Sequence, residues 1–367
     1  MKVIMTCGGT GGHIYPAIAI ADKIREIHQD AEILFVGTGR PLEKLLIPAA
    51  GYRLVFITAS GFNRKNFVKN FRTLIDVLKG SREASSIIRD FKPDVVIGTG
   101  GYVCGPVIFE AHKAGIKTYL HEQNAAPGLT NKLLESLVEK VFLGFPEAAA
   151  MFKNKKKLVV TGNPVRKAFG LQTKAGAREK LNIKPEEYMI LAFGGSQGAG
   201  MINKVMLEAL PQLADKENTV VFFATGDKYY EAVMADLRDT GLKEKHNLNM
   251  MKYINNMDIY LAAADIAICR SGALTVAELA VTGTPAIFIP SPNVTGNHQY
   301  FNAKAAVDQG GAVVIEEKEL SAEKLLMILN DLRDEPGRLE EMALNIKKLG
   351  CSDASETIYE NLELPEV

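Results

Sequence analysis

A piece of grammar occurs twice in this chain. IMTCGGTGGHIYPA at residues 4–17 and ILAFGGSQGAGMIN at 190–203 each run an apolar stretch into a double-glycine loop and then into a helix start. The apolar stretches recur: Val3–Thr6, Ile33–Gly37 and Asp94–Gly98 in the first half, then Met189–Phe193, Thr219–Ala224, Ile266–Cys269 and Ala286–Ile289 in the second. Short uninterrupted apolar runs of this kind read as strands covered on both faces, which is the condition of a parallel sheet. Helical patterns such as Tyr15–His28 lie between them, so the fold class is α/β, built from βαβ units.

The length of 367 residues suits about two domains. The boundary is expected at TGNPVR (Thr161–Arg166), where Gly162 and Pro164 break the pattern just after the basic loop Lys153–Lys157. Domain one is then 1–162 and domain two 163–340. The polar, helical segment 341–367 is expected to pack back on domain one.

Composition removes several classes. Lysine plus arginine and aspartate plus glutamate both number 43, so the chain lacks the basic excess of a whole-surface nucleic-acid binder. The four cysteines, Cys7, Cys104, Cys269 and Cys351, form no CxxC pair, which argues against a disulfide scaffold or structural zinc and suits a reducing cytoplasm. No run of about 18 apolar residues is present to span a bilayer. The N-terminus turns glycine-rich too early for a signal peptide. The 12 methionines are scattered and read as core filling.

Three loops, Gly8–Gly12, Gly98–Gly105 and Gly194–Gly200, carry the chemical interest. Glycine at a strand-to-helix turn lets backbone approach a ligand, and the helix N-terminus offers free N–H groups to phosphate. Singly, each reads equally well as a tight turn. None supplies the lysine of a P-loop. The second strand ends in Gly37-Thr38-Gly39-Arg40 without the carboxylate of an NAD site, leaving NADP as a minor reading. In the second half, Arg270–Glu278 follows a strand, with Ser271 placed to cap the helix. Glu278, seven residues beyond Ser271, sits two turns on, where a carboxylate can accept both protons of a ribose diol.

GGTGGH, GGYVCGP, HEQN at 121–124, GNPVR, GGSQGA, RSGALTVAE and the NHQY segment near residue 300 occur in this order. In these motifs the chain resembles the MurG family, bacterial transferases that convert lipid I to lipid II. The resemblance implies the GT-B fold, with two Rossmann-like parallel-sheet domains facing across a cleft. It implies an inverting transfer of N-acetylglucosamine from UDP-N-acetylglucosamine to the 4-hydroxyl of the muramyl sugar of lipid I, for peptidoglycan synthesis. Carried over by motif, Arg166 would lie near the uracil and Ile254 would bond the base edge through its backbone. Ser196 would hold the diphosphate. Ala273, Leu274, Thr275, Val276, Ala277 and Glu278 would cover phosphate, sugar and ribose, and Gln299 would reach the donor sugar. Thr10, Gly11, Gly12 and Asn124 would complete the donor site from the first domain. The acceptor is assigned to Gly100, Gly101, Tyr102 and His121–Gln123. Where the family often has two consecutive glutamines, this chain has His298-Gln299.

The chemistry needs a stabilised leaving diphosphate and a deprotonated hydroxyl. No DxD motif occurs, so helix dipoles and backbone amides are expected to carry the charge, with no metal and no cofactor. His13, at the start of the first helix, is the preferred general base, because a positive dipole end favours neutral imidazole. Glu122 is the alternative base, and a carboxylate in its motif reads equally well as structural. His28, His112, His121 and His246 read as surface or structural residues, with His121 set apart by its motif.

Residues 62–92 hold eight basic side chains against three acidic ones. Phe67, Phe71, Leu74, Ile75 and Leu78 recur there at helical spacing. Such a helix either faces the core or lies on an anionic membrane surface. A lipid-linked acceptor favours the latter, and places the protein on the cytoplasmic face of the cell membrane as a peripheral enzyme. Salt-sensitive vesicle binding, weakened by reversing Lys69 and Arg72, is the corresponding expectation. Two other functions stay open: a UDP-N-acetylglucosamine 2-epimerase, or a nucleotide-binding protein that does not turn over.

Overall fold

The apolar runs become the central strands of two parallel sheets in a computed structural model. It describes residues 1–61, 67–195, 197–238, 240–242 and 245–364, with side chains throughout except at 67–74 and 336. The chain divides into two units, Met1–Val165 with Asp353–Val367, and Arg166–Ser352.

The first unit opens with β1 (Lys2–Cys7), α1 (Gly11–Ile27), β2 (Glu32–Gly37), α2 (Pro41–Ala49) and β3 (Arg53–Phe56). It continues through α3 (Phe67–Phe91), β4 (Val95–Gly100), α4 (Cys104–Lys113), β5 (Lys117–Glu122), α5 (Leu129–Leu134), β6 (Lys140–Leu143) and β7 (Leu158–Val160). Its seven strands run in the order β3-β2-β1-β4-β5-β6-β7, every pair parallel. Side-chain alternation splits the core into two layers. Ile4, Val96 and Leu120 face Val107, Ile108 and Ala84 of α4 and α3. Val3, Met5, Ile97 and Tyr119 face Ile14, Ala17 and Ile24 of α1.

The second unit contains α6 (Ala168–Leu171), α7 (Lys174–Lys180), β8 (Tyr188–Phe193), α8 (Gly200–Ala214), β9 (Thr219–Ala224), α9 (Asp227–Asp236) and β10 (Leu248–Met251). After these come α10 (Met257–Ala263), β11 (Ile266–Cys269), α11 (Ala273–Thr282), β12 (Ala286–Phe288), α12 (His298–Asp308), β13 (Ala312–Val314), α13 (Ala322–Asp334) and α14 (Pro336–Lys347). Its six parallel strands are ordered β10-β9-β8-β11-β12-β13.

The last helix, α15 (Ala354–Glu360), belongs to the first unit. Ile358 and Leu362 enter the α1 layer of the core. The side chains of His28 and Tyr359 hydrogen-bond at 2.9 Å, and the Tyr119 hydroxyl accepts from the Glu363 N–H, also at 2.9 Å. The division differs from the expected one at both ends. It falls after Val165, and the second unit runs on to Ser352 rather than stopping at 340. The reason is α14, whose Met342 joins the second unit's core and whose Ile346 backbone lies against Gly311, leaving no room there for a Cβ.

In both sheets the strand order reverses once, between β1 and β4 and between β8 and β11. The crevice beyond the carboxyl ends of two such strands is where open parallel sheets bind ligands. All three glycine loops emerge at these two points.

Candidate active site

In the second unit, the turn after β8 is packed to the limit of what glycine allows. A Cβ at Gly194 would sit 2.2 Å from the Ala199 nitrogen, and one at Gly198, where φ is +73°, would sit 2.2 Å from the Thr225 carbonyl oxygen. The turn delivers the chain into α8 with no side-chain cap and no acidic residue in the first turn. The first bond across this N-terminus is Asn203 N–H to the Ala199 carbonyl. The N–H groups of Gly200, Met201 and Ile202 therefore have no hydrogen bond among the described residues. Ser196, expected on the diphosphate, lies outside the described residues.

The helix after β11 is built alike. Ser271 was expected to cap it. Instead the Ser271 hydroxyl donates to the Gln299 carbonyl at 2.8 Å, and Gly272 is the uncapped N-cap of α11. Ser271 is fully buried and its hydroxyl is committed to α12. Val276 makes the first helical bond, to the Gly272 carbonyl, so the N–H groups of Ala273, Leu274 and Thr275 stay open within the described residues. Two helix N-termini without side-chain caps thus lie beside one switch point, and open N–H groups of this kind can take an anion such as a diphosphate.

Glu278 stands further along α11. Desolvation pushes its carboxyl up from 4.5 to about 7, with the Arg166 guanidinium pulling the other way. Its carboxylate has no hydrogen-bond partner among the described residues. Arg166 is exposed, its guanidinium 5.0 Å from the Phe169 ring centroid. Ile254 is buried, yet its N–H and C=O bond to nothing described, as a residue awaiting a base edge would. Gln299 has its Oε1 filled by the Ser291 N–H at 2.8 Å, and its Nε2 has no partner among the described residues. His298 is held by its Nδ1 to the Thr295 carbonyl at 2.8 Å. Arg270, beside these groups, is structural: it binds the Ile289 and Pro290 carbonyls and Glu317.

In the first unit, α1 begins at Gly11 after Thr10, again without a side-chain cap or first-turn acid. The N–H groups of Gly11 and Gly12 have no hydrogen bond among the described residues, and His13 N–H returns to the Thr10 carbonyl at 3.1 Å. The adjacent turn after β4 is in backbone contact. Gly8 N–H donates to the Gly100 carbonyl at 3.1 Å, and a Cβ at Gly101 would lie 2.7 Å from the Gly8 oxygen. Sequence reasoning missed what fixes this loop. The fully buried Glu43 accepts from Gly9 N–H at 3.0 Å, Thr38 N–H at 2.8 Å and Gly39 N–H at 2.8 Å, and also from the Thr38 hydroxyl and Arg40 N–H. The carboxylate sought at the end of β2 is present a few residues later, and it binds backbone rather than a ribose.

Of the two readings of Glu122, the hydrogen bonds favour the structural one. It is buried, and its two oxygens accept from Asn124 N–H and Nδ2, Gly128 N–H and Asn131 Nδ2 at 2.9–3.1 Å. A carboxylate so saturated has no lone pair directed at a substrate. It shapes the loop that carries Asn124. His13 differs: its Nδ1 meets the Gln123 Oε1 at 2.9 Å, and its Nε2 has no partner among the described residues. Gln123 and its neighbour His121 are fully buried. Burial pushes the His121 imidazole down from 6.5 to about 4.

Comparison with known proteins bears on both halves. Residues 3–143 match the family model for the glycosyltransferase family 28 N-terminal domain, and residues 189–358 match that for its C-terminal domain. A protein of Thermoanaerobacter sp. (strain X514), named UDP-N-acetylglucosamine--N-acetylmuramyl-(pentapeptide) pyrophosphoryl-undecaprenol N-acetylglucosamine transferase, is 46% identical over 98% of each chain. A protein of the same name from Acetivibrio thermocellus is 43% identical over 98% of this chain and 97% of its own. The crystal structure of MurG from Acinetobacter baumannii superposes with a TM-score of 0.78 at 28% identity, covering 98% of both chains. UDP-GlcNAc 2-epimerase from Neisseria meningitidis, 15% identical with a TM-score of 0.69 over 98% of this chain and 99% of its own, shares the fold alone. The two parallel-sheet units are thus of the GT-B class. With both halves of the family's model matched in order, and relatives of this identity running the whole length, the chain belongs to glycosyltransferase family 28, among its MurG-type members.

Proposed function

We propose that this chain moves N-acetylglucosamine from UDP-N-acetylglucosamine to the 4-hydroxyl of the muramyl sugar of lipid I, with inversion, giving lipid II and UDP. The observation that carries the reading is α11: three open amides at its start and an unpartnered carboxyl at Glu278. A nucleoside diphosphate presents the matching pair, an anion for the helix end and a diol for the carboxylate. Ile254 then serves the uracil edge with Arg166 nearby, and the free Nε2 of Gln299 serves a sugar hydroxyl. Thr10, Gly11, Gly12 and Asn124 are read as the first unit's share of donor binding.

In the reaction the acceptor hydroxyl gives its proton to His13 Nε2 and its oxygen bonds to the anomeric carbon. The bond from that carbon to the diphosphate oxygen breaks, and its electron pair leaves with UDP. The negative charge growing on the diphosphate meets the open amides of α8 and α11, dipoles already in place before the reaction starts.

The decisive experiment is transfer of labelled N-acetylglucosamine to a lipid I analogue. His13→Ala is expected to lower kcat by about 100- to 10,000-fold, the range for a lost general base. Near-normal turnover in a folded His13→Ala protein removes His13 from that role. Conversion of the donor to its 2-epimer when incubated alone, without acceptor, replaces the transferase reading with the epimerase one.

The acceptor's lipid also bears on location. No helix among the described residues is long and apolar enough to cross a membrane. α3 offers a surface contact instead: Ile75 and Leu78 are 53% and 58% exposed, with Lys79 and Arg82 exposed alongside. Phe67, Lys69, Phe71, Arg72 and Leu74 have side chains outside the described residues, as do Arg64 and Lys65 entirely. We read this helix as resting on the anionic cytoplasmic face of the membrane, with the enzyme peripheral to it.

A further inference from the structure

We infer that Gln123 and His121 are positioning residues that set the tautomer of His13, so that the neutral ring presents its lone pair at Nε2. The inference rests on the reading of His13 as the base and is tested separately from it. Two backbone carbonyls impose the direction of the whole chain. The Thr99 carbonyl lies 2.7 Å from Gln123 Nε2; being only an acceptor, it requires the NH2 end of the amide on its side. The rest of that NH2 faces two atoms of His121, Nδ1 at 2.8 Å and the carbonyl oxygen at 3.0 Å. At the far side of the ring the Gly162 carbonyl, which can only accept, lies 3.2 Å from Nε2 and fixes the His121 proton there, so Nδ1 is bare toward the NH2. With its NH2 committed, Gln123 turns Oε1 toward His13 Nδ1 at 2.9 Å. Only the Nδ1–H tautomer of His13 satisfies an acceptor there, which leaves Nε2 unprotonated.

Each link is closed to the alternative. Flipping the Gln123 amide would set its oxygen against the Thr99 carbonyl and against His121 Nδ1, and would face its NH2 toward His13. A protonated His121 would point an N–H at the Gln123 NH2. Burial opposes that state, holding His121 down to about 4. His13 is steadied from two further sides. The Thr99 hydroxyl donates to its carbonyl at 2.7 Å, and its ring lies over Gly100, where a Cβ would come within 2.6 Å of Nδ1. The arrangement resembles the orienting group of a catalytic triad, with an amide in place of the acid. When His13 takes up a proton, the Gln123 oxygen stays bonded to Nδ1–H and no second charge is buried.

The test is nitrogen NMR of the full chain carrying 15N-labelled histidine. In the wild type, His13 is expected as a pure Nδ1–H tautomer and His121 as a pure Nε2–H tautomer, the latter staying neutral well below neutral pH. In Gln123→Met, which keeps the length of the side chain and removes both hydrogen-bonding ends, His13 is expected to lose its single tautomer. Its kcat should fall roughly 10- to 100-fold, with donor KM little changed, the size of effect that misplacement of a reacting group produces. An Nε2–H tautomer of His13 in the wild type overturns the inference, as does a His13 that stays purely Nδ1–H in Gln123→Met. Should that variant not fold, the wild-type spectra alone decide. Failure of His13→Ala to lose activity would count against the base, while the spectra would still judge the wiring.

Discussion

Glu278 is where a single residue's titration reports on ligand binding. Its carboxyl is raised from 4.5 to about 7 because folding strips it of water without giving it a donor. In the ligand-free protein the neutral form is favoured by folding. That contribution to stability is fully present below 4.5 and is lost as the pH rises through about 7. A ribose diol needs the ionised form, so the sign reverses for binding. UDP affinity of the wild type should strengthen as the pH climbs from about 6 to 8, with proton release on binding at the acid end. Glu278→Gln should bind UDP more weakly at the alkaline end and show a flatter profile. Calorimetric titrations at several pH values check this, and parallel profiles for the two proteins refute it. Residues of this kind were visible in the sequence because one short segment holds them: Ala273–Glu278 and Gly11–His13 are each a few positions of one helix start. The wiring behind His13 was not. Gln123 is 110 positions from His13 along the chain. Only the alternation of a strand end, which puts His121 and Gln123 on one side and Glu122 on the other, hints at it. Glu43 went unread, and Glu122 could not be sorted between base and structural residue, for a related reason: a carboxylate's role depends on how many backbone amides the fold brings to it.

At the scale of elements, the strands and glycine turns were legible because each leaves a local mark, an unbroken apolar run or a position no other residue can occupy. The start of α11 was placed one residue early. Serine is a good cap by propensity, but a tertiary bond to α12 claimed its hydroxyl, and the amides it would have covered stay open among the described residues. α3 gives the other lesson. Its later half supplies Ala84 and Ile88 to the core, whereas Ile75 and Leu78 remain outside. The apolar stripe thus changes partner along the helix. Replacing Ile75 and Leu78 with aspartate should leave turnover on a detergent-soluble acceptor intact, weaken binding to anionic vesicles several-fold and leave the melting temperature nearly unchanged. Exposed positions away from special features shift stability by only about 0.5 kcal/mol. Vesicle co-sedimentation and a thermal melt test the pair. Unaltered co-sedimentation would detach α3 from the membrane reading.

For the whole molecule, the assignment of α15 to the first unit makes that unit discontinuous in sequence. The helix adds the buried Ile358 and Leu362, contacts of Lys23 with Glu356 and of Lys140 with the Asn361 carbonyl, and the His28–Tyr359 bond. Covering two such aliphatic side chains contributes about 3–6 kcal/mol, a large part of the roughly 5–15 kcal/mol that holds an ordinary domain together. Deleting residues 353–367 should lower the melting transition of the first unit markedly and leave that of the second in place. Scanning calorimetry resolves the two, and a truncated chain that melts like the full one contradicts the assignment. Where the tail begins was not legible in the sequence, because the amphipathic pattern of α14 says that the helix has an apolar side without saying which sheet it covers.

This discontinuity has a bearing on biogenesis. As the polypeptide leaves the ribosome, everything the second unit needs has emerged by Ser352, while the unit synthesised first still lacks its closing helix. The order of completion then inverts the order of synthesis, and the newborn N-terminal half waits with an uncovered apolar seam beside α1 until α15 follows. A chain held on the ribosome through a linker long enough to bring Ser352 clear of the exit tunnel, and ending there, should show protease-resistant C-terminal fragments and a susceptible N-terminal half. The same arrest with α15 included should render both resistant.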